Sequence, residues 1–423
     1  MHRYSRRGFL KSSALALSAA ALARPTTLLA QATGADAPIY DLVIKGAEVI
    51  DPSQNLRAKR DVAIRWARLA ALEPEIPAEQ ATYVLPADGK LVLPGLVDMH
   101  VHVFPEASAL GLPPHELVPL TATTTYVSAG DAGGNNFSGF KHWVIDQSRT
   151  RIFAFVHISN MGLAGFPVGE MFNIDYADVE LAAKTVAENQ DVVIGVKVRE
   201  SENVVGSNGL EPLRRAIQAA EMSGTGAPVM CHIGGAPGNL SDLLDLLRPG
   251  DILTHTYSGA GNNVVQDGKV LPAALEAKRR GVLFDVGHGG GSFDYTVAEP
   301  AIDQGLTPDT LGSDIHAVSA NTPGMPFMPW LMSKFLNMGF SLEDVIRLST
   351  VNPAKVIDRV EKLGTLQPGA PGDVSILELV AEPVTFVDTR QNERSGDRYL
   401  KPVTAVVAGV PFGRPFPQPF AHP

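Results

Sequence analysis

The amino-acid sequence predicts an α/β protein. In this prediction a (β/α)8 TIM barrel at residues 93–358 carries a small β-sandwich domain built from residues 38–92 plus 360–415. Eight short apolar runs that each end in polar residues predict the barrel strands, because their number and their span of about 260 residues match this fold. Most gaps between runs measure about 25–40 residues, and several show helical periodicity, as crossover connections require. An open doubly wound sheet is the alternative, but its glycine-rich phosphate turn is missing after the first run.

The predicted elements follow in chain order. In the small domain, residues 40–51 predict two short strands separated by a glycine turn. Further strand-like segments of that domain are 61–72, 83–92, 372–379 and 403–411. The eight barrel runs are 95–102, 123–130, 152–159, 192–199, 227–234, 251–257, 282–288 and 309–316. Helical periodicity is clearest at 210–222 and 271–280, and Gly281 follows the second as a C-terminal stop.

Composition and charge exclude several classes of protein. The chain of 423 residues is 45% hydrophobic and 19% charged, which leaves enough apolar side chains for a large core. Its net charge of -10 argues against nucleic-acid binding, because such proteins present a basic face. The single cysteine excludes an internal disulfide and a cysteine zinc finger. No apolar stretch reaches the roughly 18 residues that a membrane-spanning helix needs.

Residues 1–30 predict an export signal. Arg6-Arg7 is followed by Phe-Leu-Lys and a short apolar run at 12–23, which resembles a bacterial twin-arginine signal. Cleavage is expected after Ala30 or Ala32, and the alternative is a basic amphipathic surface helix. The resemblance implies the twin-arginine export machinery as a partner and a periplasmic mature protein without a membrane anchor. A homo-oligomer is left open, since the apolar barrel exterior leaves room for one.

Polar residues cluster at the ends of the predicted barrel strands, where such barrels carry their active sites. They are His100, His102, Lys197, Arg199, His232, His255, His288, Asp314 and His316. Imidazole and carboxylate groups suit zinc and similar divalent ions, and residues i and i+2 of a strand share a face. The whole set therefore predicts a metal site, although a lone histidine would more often bond to backbone. Lysine is the odd member because an ammonium cannot bind a cation, so the residues alone favour a salt bridge of Lys197 to Glu200 or Asp314 over a metal ligand.

Residues 94–102 resemble the first strand of the amidohydrolase superfamily, metal-dependent hydrolases related to dihydroorotase, hydantoinase and D-aminoacylase. Residues 352–354 and 364–373 resemble its C-terminal signatures, although Gly372 replaces the usual alanine. The resemblance implies two divalent ions, with Zn²⁺ the first candidate. It assigns His100, His102 and Asp314 to one metal, and His232 and His255 to the other, with a CO₂-carboxylated Lys197 as the bridge. Residues 195–199 further resemble a deacetylase subgroup that acts on acetylated α-hydroxy or amino acids.

The implied reaction is hydrolysis of an acyl ester or amide by a hydroxide shared between two metals, with Asp314 as the base. Arg199 is in phase with Lys197, so it could bind a substrate carboxylate, and its alternative is a structural pair with Glu200 or Glu202. Tyr257 and His288 are expected to contact the substrate, and His316 is expected to support the metal site. The side chain of Cys231 is expected to face away from the barrel axis. The glycine-rich segment 287–293 is expected to form a flexible loop, and residues 323–330 a wall at the barrel rim. A cyclic amidase and a non-catalytic periplasmic metal or solute binder are the alternative functions.

Overall fold

The computed structural model describes residues 38–412. The predicted signal at residues 1–30 lies outside that range. Strands and helices alternate through the central part of the chain, whereas both ends are strand-rich. None of the helices within 38–412 combines the length and the apolar character needed to cross a bilayer.

The strands in chain order are β1 Tyr40–Asp51, β2 Leu56–Arg65, β3 Arg68–Glu73, β4 Ala81–Pro86, β5 Leu91–Pro94, β6 Leu96–Val101, β7 Thr123–Gly133, β8 Arg151–His157, β9 Val193–Glu200, β10 Val229–Ile233, β11 Ile252–Thr254, β12 Val265–Gln266, β13 Lys269–Val270, β14 Leu283–Asp285, β15 Val374–Val380, β16 Val384–Val387, β17 Glu393–Gly396, β18 Tyr399–Val407 and β19 Val410–Pro411. The α-helices are α1 Pro114–Thr121, α2 Phe137–Phe140, α3 Val179–Glu188, α4 Glu202–Val205, α5 Glu211–Met222, α6 Leu240–Leu246, α7 Pro272–Arg280, α8 Tyr295–Asp303, α9 Met328–Asn337, α10 Leu342–Leu348 and α11 Val351–Ile357. Short 3₁₀ turns lie at Ala78–Gln80, Ile174–Tyr176, Gly206–Asn208 and Ser319–Asn321, and a π-helical turn lies at Lys141–Ile145.

Seven parallel strands form the barrel wall in the order β14-β11-β10-β9-β8-β7-β6. The segment at 310–315 closes the circle, because Thr310 bridges Asp285 of β14 and Ile315 bridges Val101 of β6 in parallel. Every predicted barrel run therefore coincides with a wall element, and the TIM-barrel prediction is confirmed. Both predicted helices are also present, as α5 and α7, and Gly281 caps the second in the left-handed conformation.

The small sheet joins the two ends of the chain in the order β19-β18-β15-β5-β1-β2-β3, with β4 also paired to β1. Its first strand corrects the sequence prediction, because residues 40–51 form one strand and the prediction of two strands with a turn is wrong. Gly46 has a φ of 80°, and the register shifts between Ile44 and Ala47. A glycine with positive φ occurs in a β-bulge within a continuous strand as readily as in a turn between two strands, so its presence in the sequence does not distinguish the two structures.

The barrel interior is apolar near the start of each strand and polar near its end. Met230 precedes His232 on β10, and Ile252 precedes Thr254 on β11, with both apolar side chains in one buried core cluster. Ile357 from α11 packs into the same cluster and so fills the barrel below the polar layer. This layering excludes water from one side of the polar residues and leaves the C-terminal rim for chemistry.

Candidate metal centre

His100 and His102 of the first barrel strand meet Asp314 of the closing segment. Asp314 Oδ1 lies 3.4 Å from His100 Nε2 and 3.1 Å from His102 Nε2. All three side chains are buried, and their potential ligand atoms lie within 4.8 Å of one another. Two imidazole nitrogens and a carboxylate at this spacing form a donor set suited to a divalent cation.

Asp131 on β7 fixes the orientation of His102. Its Oδ1 lies 2.6 Å from His102 Nδ1, while its Oδ2 accepts hydrogen bonds from Val103 N and Ser128 Oγ at 2.8 and 2.7 Å. Because a carboxylate oxygen accepts, a ring hydrogen sits at Nδ1, and Nε2 is the nitrogen that faces Asp314 and would bind an ion. A carboxylate behind a histidine is the usual support for a metal-binding imidazole.

A hydroxyl relay supports His100 in the same way. His100 Nδ1 lies 2.8 Å from Thr254 Oγ1, and that hydroxyl donates to Asp285 Oδ2 at 2.8 Å. Since the hydroxyl hydrogen is committed to Asp285, its oxygen accepts the Nδ1–H of His100. The Nε2 atom of His100 is therefore also free of hydrogen and faces the cluster.

His255 and His232 complete the ring of imidazoles. His255 Nδ1 donates to the carbonyl of Gly287 at 2.6 Å, and its Nε2 is buried with no hydrogen-bond partner among the described residues. The His255 ring centroid lies 4.9 Å from that of His100 and 4.2 Å from that of His232. An orphaned nitrogen facing other histidines is what a metal ligand would present.

Two of these side chains stand on strained backbone. His255 has a φ of 65° and Asp314 a φ of 50°, in the left-handed region that non-glycine residues rarely adopt. Such a conformation costs on the order of 1–3 kcal/mol and clusters at functional sites. Both residues turn out of their strands at these positions, so the strain coincides with the placement of their side chains in the site.

Lys197 of β9 lies inside the cluster. Its Nζ is 3.3 Å from His100 Nε2 and 3.5 Å from Met230 Sδ. Within residues 38–412, no carboxylate comes within 4.0 Å of this amine, so the salt bridge to Glu200 or Asp314 that was the alternative is wrong. Glu200 cannot pair with Lys197 because residues three apart in a strand point to opposite faces, so Glu200 lies on the other face of β9. Burial lowers the pKa of Lys197 to about 8.

Charge in the site is divided between one anion and mostly neutral rings. Burial lowers the pKa of His100 and of His232 well below the usual value, so both rings are neutral near pH 7. Burial opposes charge on His102, but Asp131 and Asp314 outweigh it and raise the pKa of His102 to about 9. Burial would raise the pKa of Asp314, but the surrounding histidines hold it well below its usual value. Asp314 is therefore ionised and able to accept a proton.

Arg199 pairs with a residue that sequence reasoning did not select. Its NH1 donates to both oxygens of Glu170 at 3.1 and 3.2 Å, so the predicted alternative of a pair with Glu200 or Glu202 is wrong. Glu170 stands in the loop after β8, and its Oε1 also lies 3.2 Å from His157 Nε2. Burial lowers the pKa values of His157, His232, His255 and His316, and the positive charge of Arg199 adds to that lowering. The guanidinium therefore lies close to the candidate site.

Two predicted substrate contacts are corrected. Tyr257 is wholly buried, donates its hydroxyl to the carbonyl of Leu306 at 2.8 Å and packs against Phe335, so it belongs to the apolar core. His288 is also buried, and both its ring nitrogens have partners within the protein. Neither side chain has a polar atom left for a substrate. Both follow a strand end in the sequence, but the chain turns them toward the helices.

Two further neighbours fit their expectations. Cys231 packs in the core cluster outside the barrel wall, as expected for a residue beside the inward-facing His232. The His316 ring centroid lies 5.8 Å from that of His102, and its Nδ1 accepts from Ser319 N at 3.2 Å. His316 thus lies against a candidate ligand, with a ring nitrogen fixed by backbone.

Some functional residues were missed although a signal existed. Asp131 directly follows the predicted run 123–130, and His157 lies within 152–159, so the strand-end rule that selected His100 applied to both. Thr254 lay beside the selected His255. Glu170 carried no such signal, because it lies in an irregular loop whose return to the barrel mouth depends on tertiary packing.

The residues fit a divalent cation. In three histidines Nδ1 is bonded within the protein and Nε2 faces the cluster, one carboxylate is ionised, and His255 Nε2 has no other partner among the residues described. This donor set of nitrogen and carboxylate oxygen is typical of zinc and related ions. The buried amine of Lys197 fits only after modification, since an ammonium would repel the ion.

Comparison with known proteins agrees with this geometry. A sequence profile described as "Amidohydrolase family" matches residues 292–410. A deacetylase of Agrobacterium fabrum is 33% identical over 342 residues, which cover 80% of this chain and 83% of that protein. A solved structure titled as an adenine deaminase superposes with a TM-score of 0.81 at 30% identity, covering 88% of this chain and 99% of that one. Another, titled as a dihydroorotase, has a TM-score of 0.80 at 29% identity, covering 88% and 97%.

Proposed function

This chain belongs to the amidohydrolase superfamily and is a hydrolase, and from that premise we propose that it is a deacetylase of small carboxylate-bearing molecules. Its substrates in this proposal are acetylated α-hydroxy or amino acids. The observation that carries the proposal is the buried cluster of His100, His102 and Asp314, with an unpartnered His255 nitrogen beside it. The relative's name as a deacetylase supports the choice of acyl group.

The proposed site would hold two divalent ions, with Zn²⁺ the first candidate. His100, His102 and Asp314 would hold one ion, His232 and His255 would hold the other, and Lys197 would contribute to both. Such ions supply Lewis acidity toward a carbonyl oxygen and lower the pKa of water toward neutrality. His100 Nε2 and Lys197 Nζ lie 3.3 Å apart, which supports the proposal that both side chains would contact the same ion.

Lys197 is proposed to carry a carboxyl group formed with CO₂. The uncharged amine is the form that attacks CO₂, and burial lowers the pKa of Lys197 to about 8, so a fraction is uncharged near neutral pH. Attack on CO₂ forms an N–C bond, turns one C=O bond into a C–O⁻ bond and releases an amine proton to solvent, so the product is an anion beside the neutral His100. Carboxylation thereby converts a side chain that repels cations into an oxygen ligand.

Asp314 is the proposed proton carrier. It is ionised near neutral pH, and its carboxylate lies at the rim end of the closing segment. Asp314 would accept the proton of the attacking water at a carboxylate oxygen and return it to the leaving oxygen or nitrogen. Gly289 backs this carboxylate, because a side chain there would collide with Asp314 Oδ2.

Arg199 is the proposed partner of the substrate carboxylate. Its NH1 is committed to Glu170, and no bond within the described part of the chain engages its Nε or NH2. Glu170 is almost wholly buried, so the guanidinium is held from one side while its other donors are available. A planar guanidinium whose Nε and NH2 both remain available suits a carboxylate.

A cyclic amidase is the second candidate, and the specific observation favouring it is the TM-score of 0.80 with a structure titled as a dihydroorotase. A ring-opening enzyme would act on a cyclic amide and would not hydrolyse acyclic acetyl compounds.

The predicted signal at residues 1–30 adds the proposal that either reaction takes place in the periplasm after twin-arginine export. Replacing Arg6 and Arg7 by lysine and fractionating the cells would test that location.

A substrate panel tests the proposal. Purified protein supplied with Zn²⁺ would be assayed on N-acetyl amino acids, O-acetyl hydroxy acids, a neutral acetate ester and cyclic amides. We expect turnover of the acetylated acids, with KM for them raised at least about tenfold in Arg199→Gln and little change for the neutral ester, because only the carboxylate contact is lost. Turnover of cyclic amides alone would favour the second candidate, and no turnover of any compound would contradict both.

A further inference from the structure

Lys334 on α9 is a buried amine outside the proposed metal site. Its side chain is 1% exposed, and its Nζ lies 2.7 Å from each of three acceptors, which are His288 Nε2, Gly324 O and Val387 O. Three acceptors match the three N–H groups of an ammonium. The described residues offer it no carboxylate within ion-pair distance, so its contacts are those of a positioned hydrogen-bond donor.

The contact with Lys334 sets the protonation of His288. Because the amine donates to Nε2, the ring hydrogen sits at Nδ1, from which it is donated to the carbonyl of Gly289 at 2.8 Å. The ring is also stacked on Phe293, with 4.8 Å between centroids and 16° between planes. His288 is therefore held at both nitrogens and on one face.

The backbone beside His288 supports two proposed site residues. The carbonyl of Gly287 accepts the Nδ1–H of His255 at 2.6 Å, which leaves His255 Nε2 facing the cluster. On the other side, Gly289 packs against the carboxylate of Asp314. Gly287 and Gly289 have φ values of 50° and 54°, so the loop is tightly turned around His288. Any shift of that ring would move both neighbours.

We propose that Lys334 is a positioning residue for His255 and Asp314, acting through His288 and the turn at 287–289. The inference rests on the metal site proposed above. The hydrogen bond of Lys334, 20 residues beyond Asp314, thereby fixes which nitrogen of His255 faces the cluster. It also fixes the position of the Asp314 carboxylate, the proposed proton carrier. Outer contacts of this kind typically alter metal affinity or activity by about 10–100-fold.

A purely structural role is the competing explanation. Lys334 also joins the rim loop at Gly324 and the segment before Thr389 at Val387, so its loss would lower stability in any case. The two explanations differ in whether the metal readouts change at a given loss of stability. In Lys334→Met the Nε2 of His288 loses its donor, whereas Lys334→Met/His288→Leu removes that acceptor as well. Both variants take the amine from Gly324 O and Val387 O, and the double variant also takes the ring N–H from Gly289 O.

The experiment compares the parent protein with Lys334→Met and the double variant, each loaded with Co²⁺. Lys278→Met is the matched control, since Lys278 ties α7 to Thr307 O and Asp309 away from the site. The visible absorption spectrum of Co²⁺, the rate of metal release to a chelator and Tm are measured. The spectrum reports the geometry of the metal site and the release rate reports how tightly it binds the metal, and neither measurement needs a substrate.

We expect both Lys334 variants to change the Co²⁺ spectrum and to release metal about tenfold faster, and to do so more than Lys278→Met does at a comparable loss of Tm. The control should lose stability without either change. Parent-like spectra and release rates in the folded variants would overturn the inference while leaving the proposed function intact. A parent protein that takes up no Co²⁺ would instead overturn the proposed function and this inference with it.

Discussion

Replacing Asp131 by asparagine tests how the protein prepares His102 to bind metal. In the parent, one carboxylate oxygen accepts the His102 Nδ1–H and the other accepts from Val103 N and Ser128 Oγ. An asparagine that keeps its oxygen on Val103 and Ser128 turns its NH₂ group toward His102. Two donors cannot face each other, so the ring hydrogen of His102 must move to Nε2.

The size of the effect follows from that shift. Metal binding needs the lone pair of Nε2, which lies 3.1 Å from Asp314, so a ring hydrogen fixed at Nε2 removes His102 from the donor set. We expect Zn²⁺ affinity to fall about 10–100-fold. That loss corresponds to about 1.4–2.8 kcal/mol of binding free energy. Competition with a chromophoric chelator would measure the affinity, and Tm of the metal-free protein would show that the variant is folded.

Ser128→Ala is the matched control for this substitution. It removes one hydrogen bond to Asp131 Oδ2 but leaves Oδ1 on His102, so the ring hydrogen stays at Nδ1. Metal affinity in the control should change by less than about threefold, because the contact that orients the His102 ring is kept. If folded Asp131→Asn kept the parental affinity, the argument that Asp131 fixes the metal-binding nitrogen would be refuted.

Three further substitutions give separate checks. Gly289→Ala should lower metal affinity and kcat together, by up to about 100-fold, because the new methyl group must displace the carboxylate of Asp314, and chelator competition with steady-state kinetics would show it. Glu170→Gln should lower the free energy of unfolding by about 2–3 kcal/mol in urea, since Arg199 keeps its charge beside a neutral partner. Glu200 is buried without a side-chain partner among the described residues, and burial raises its pKa from 4.5 to about 8. The unfolded carboxyl ionises from pH 4.5 upward while the folded one stays protonated, so the parent loses stability as the pH rises from 4.5 to 8. The free energy of unfolding of Glu200→Gln should therefore increase relative to that of the parent over this range, by roughly 5 kcal/mol at most. A pH-independent difference between these two proteins in urea denaturation would contradict that ionisation.

The barrel was predictable because its signal repeats along the chain. Apolar runs at steady spacing mark the strands, and the same runs place polar residues at one end of the barrel, where the structure has them. His100, His102 and Asp314 meet because parallel strands carry their C-terminal ends to one rim. Those contacts follow from strand order, which the sequence pattern encodes.

Contacts that depend on loops and helices were not predictable. The sequence suggested that Arg199 pairs with its neighbours Glu200 or Glu202. Strand alternation places Glu200 on the other face of β9, and the partner of Arg199 is Glu170 from the loop after β8. His288 was expected to face a substrate, but Lys334, 46 residues further on, holds its ring nitrogen within the protein. No local periodicity reports a hydrogen bond across such separations, since tertiary packing alone decides it.

The central claim is a two-ion site joined by a modified Lys197. The most direct test is elemental analysis of metal in the purified mature protein, produced with added zinc and bicarbonate, beside Lys197→Ala prepared in the same way. The account predicts about two metal ions per chain in the parent, as in other two-metal hydrolytic sites, with both metal content and hydrolysis lost in the variant. One ion or none in the parent, with an unchanged Lys197→Ala, would contradict it.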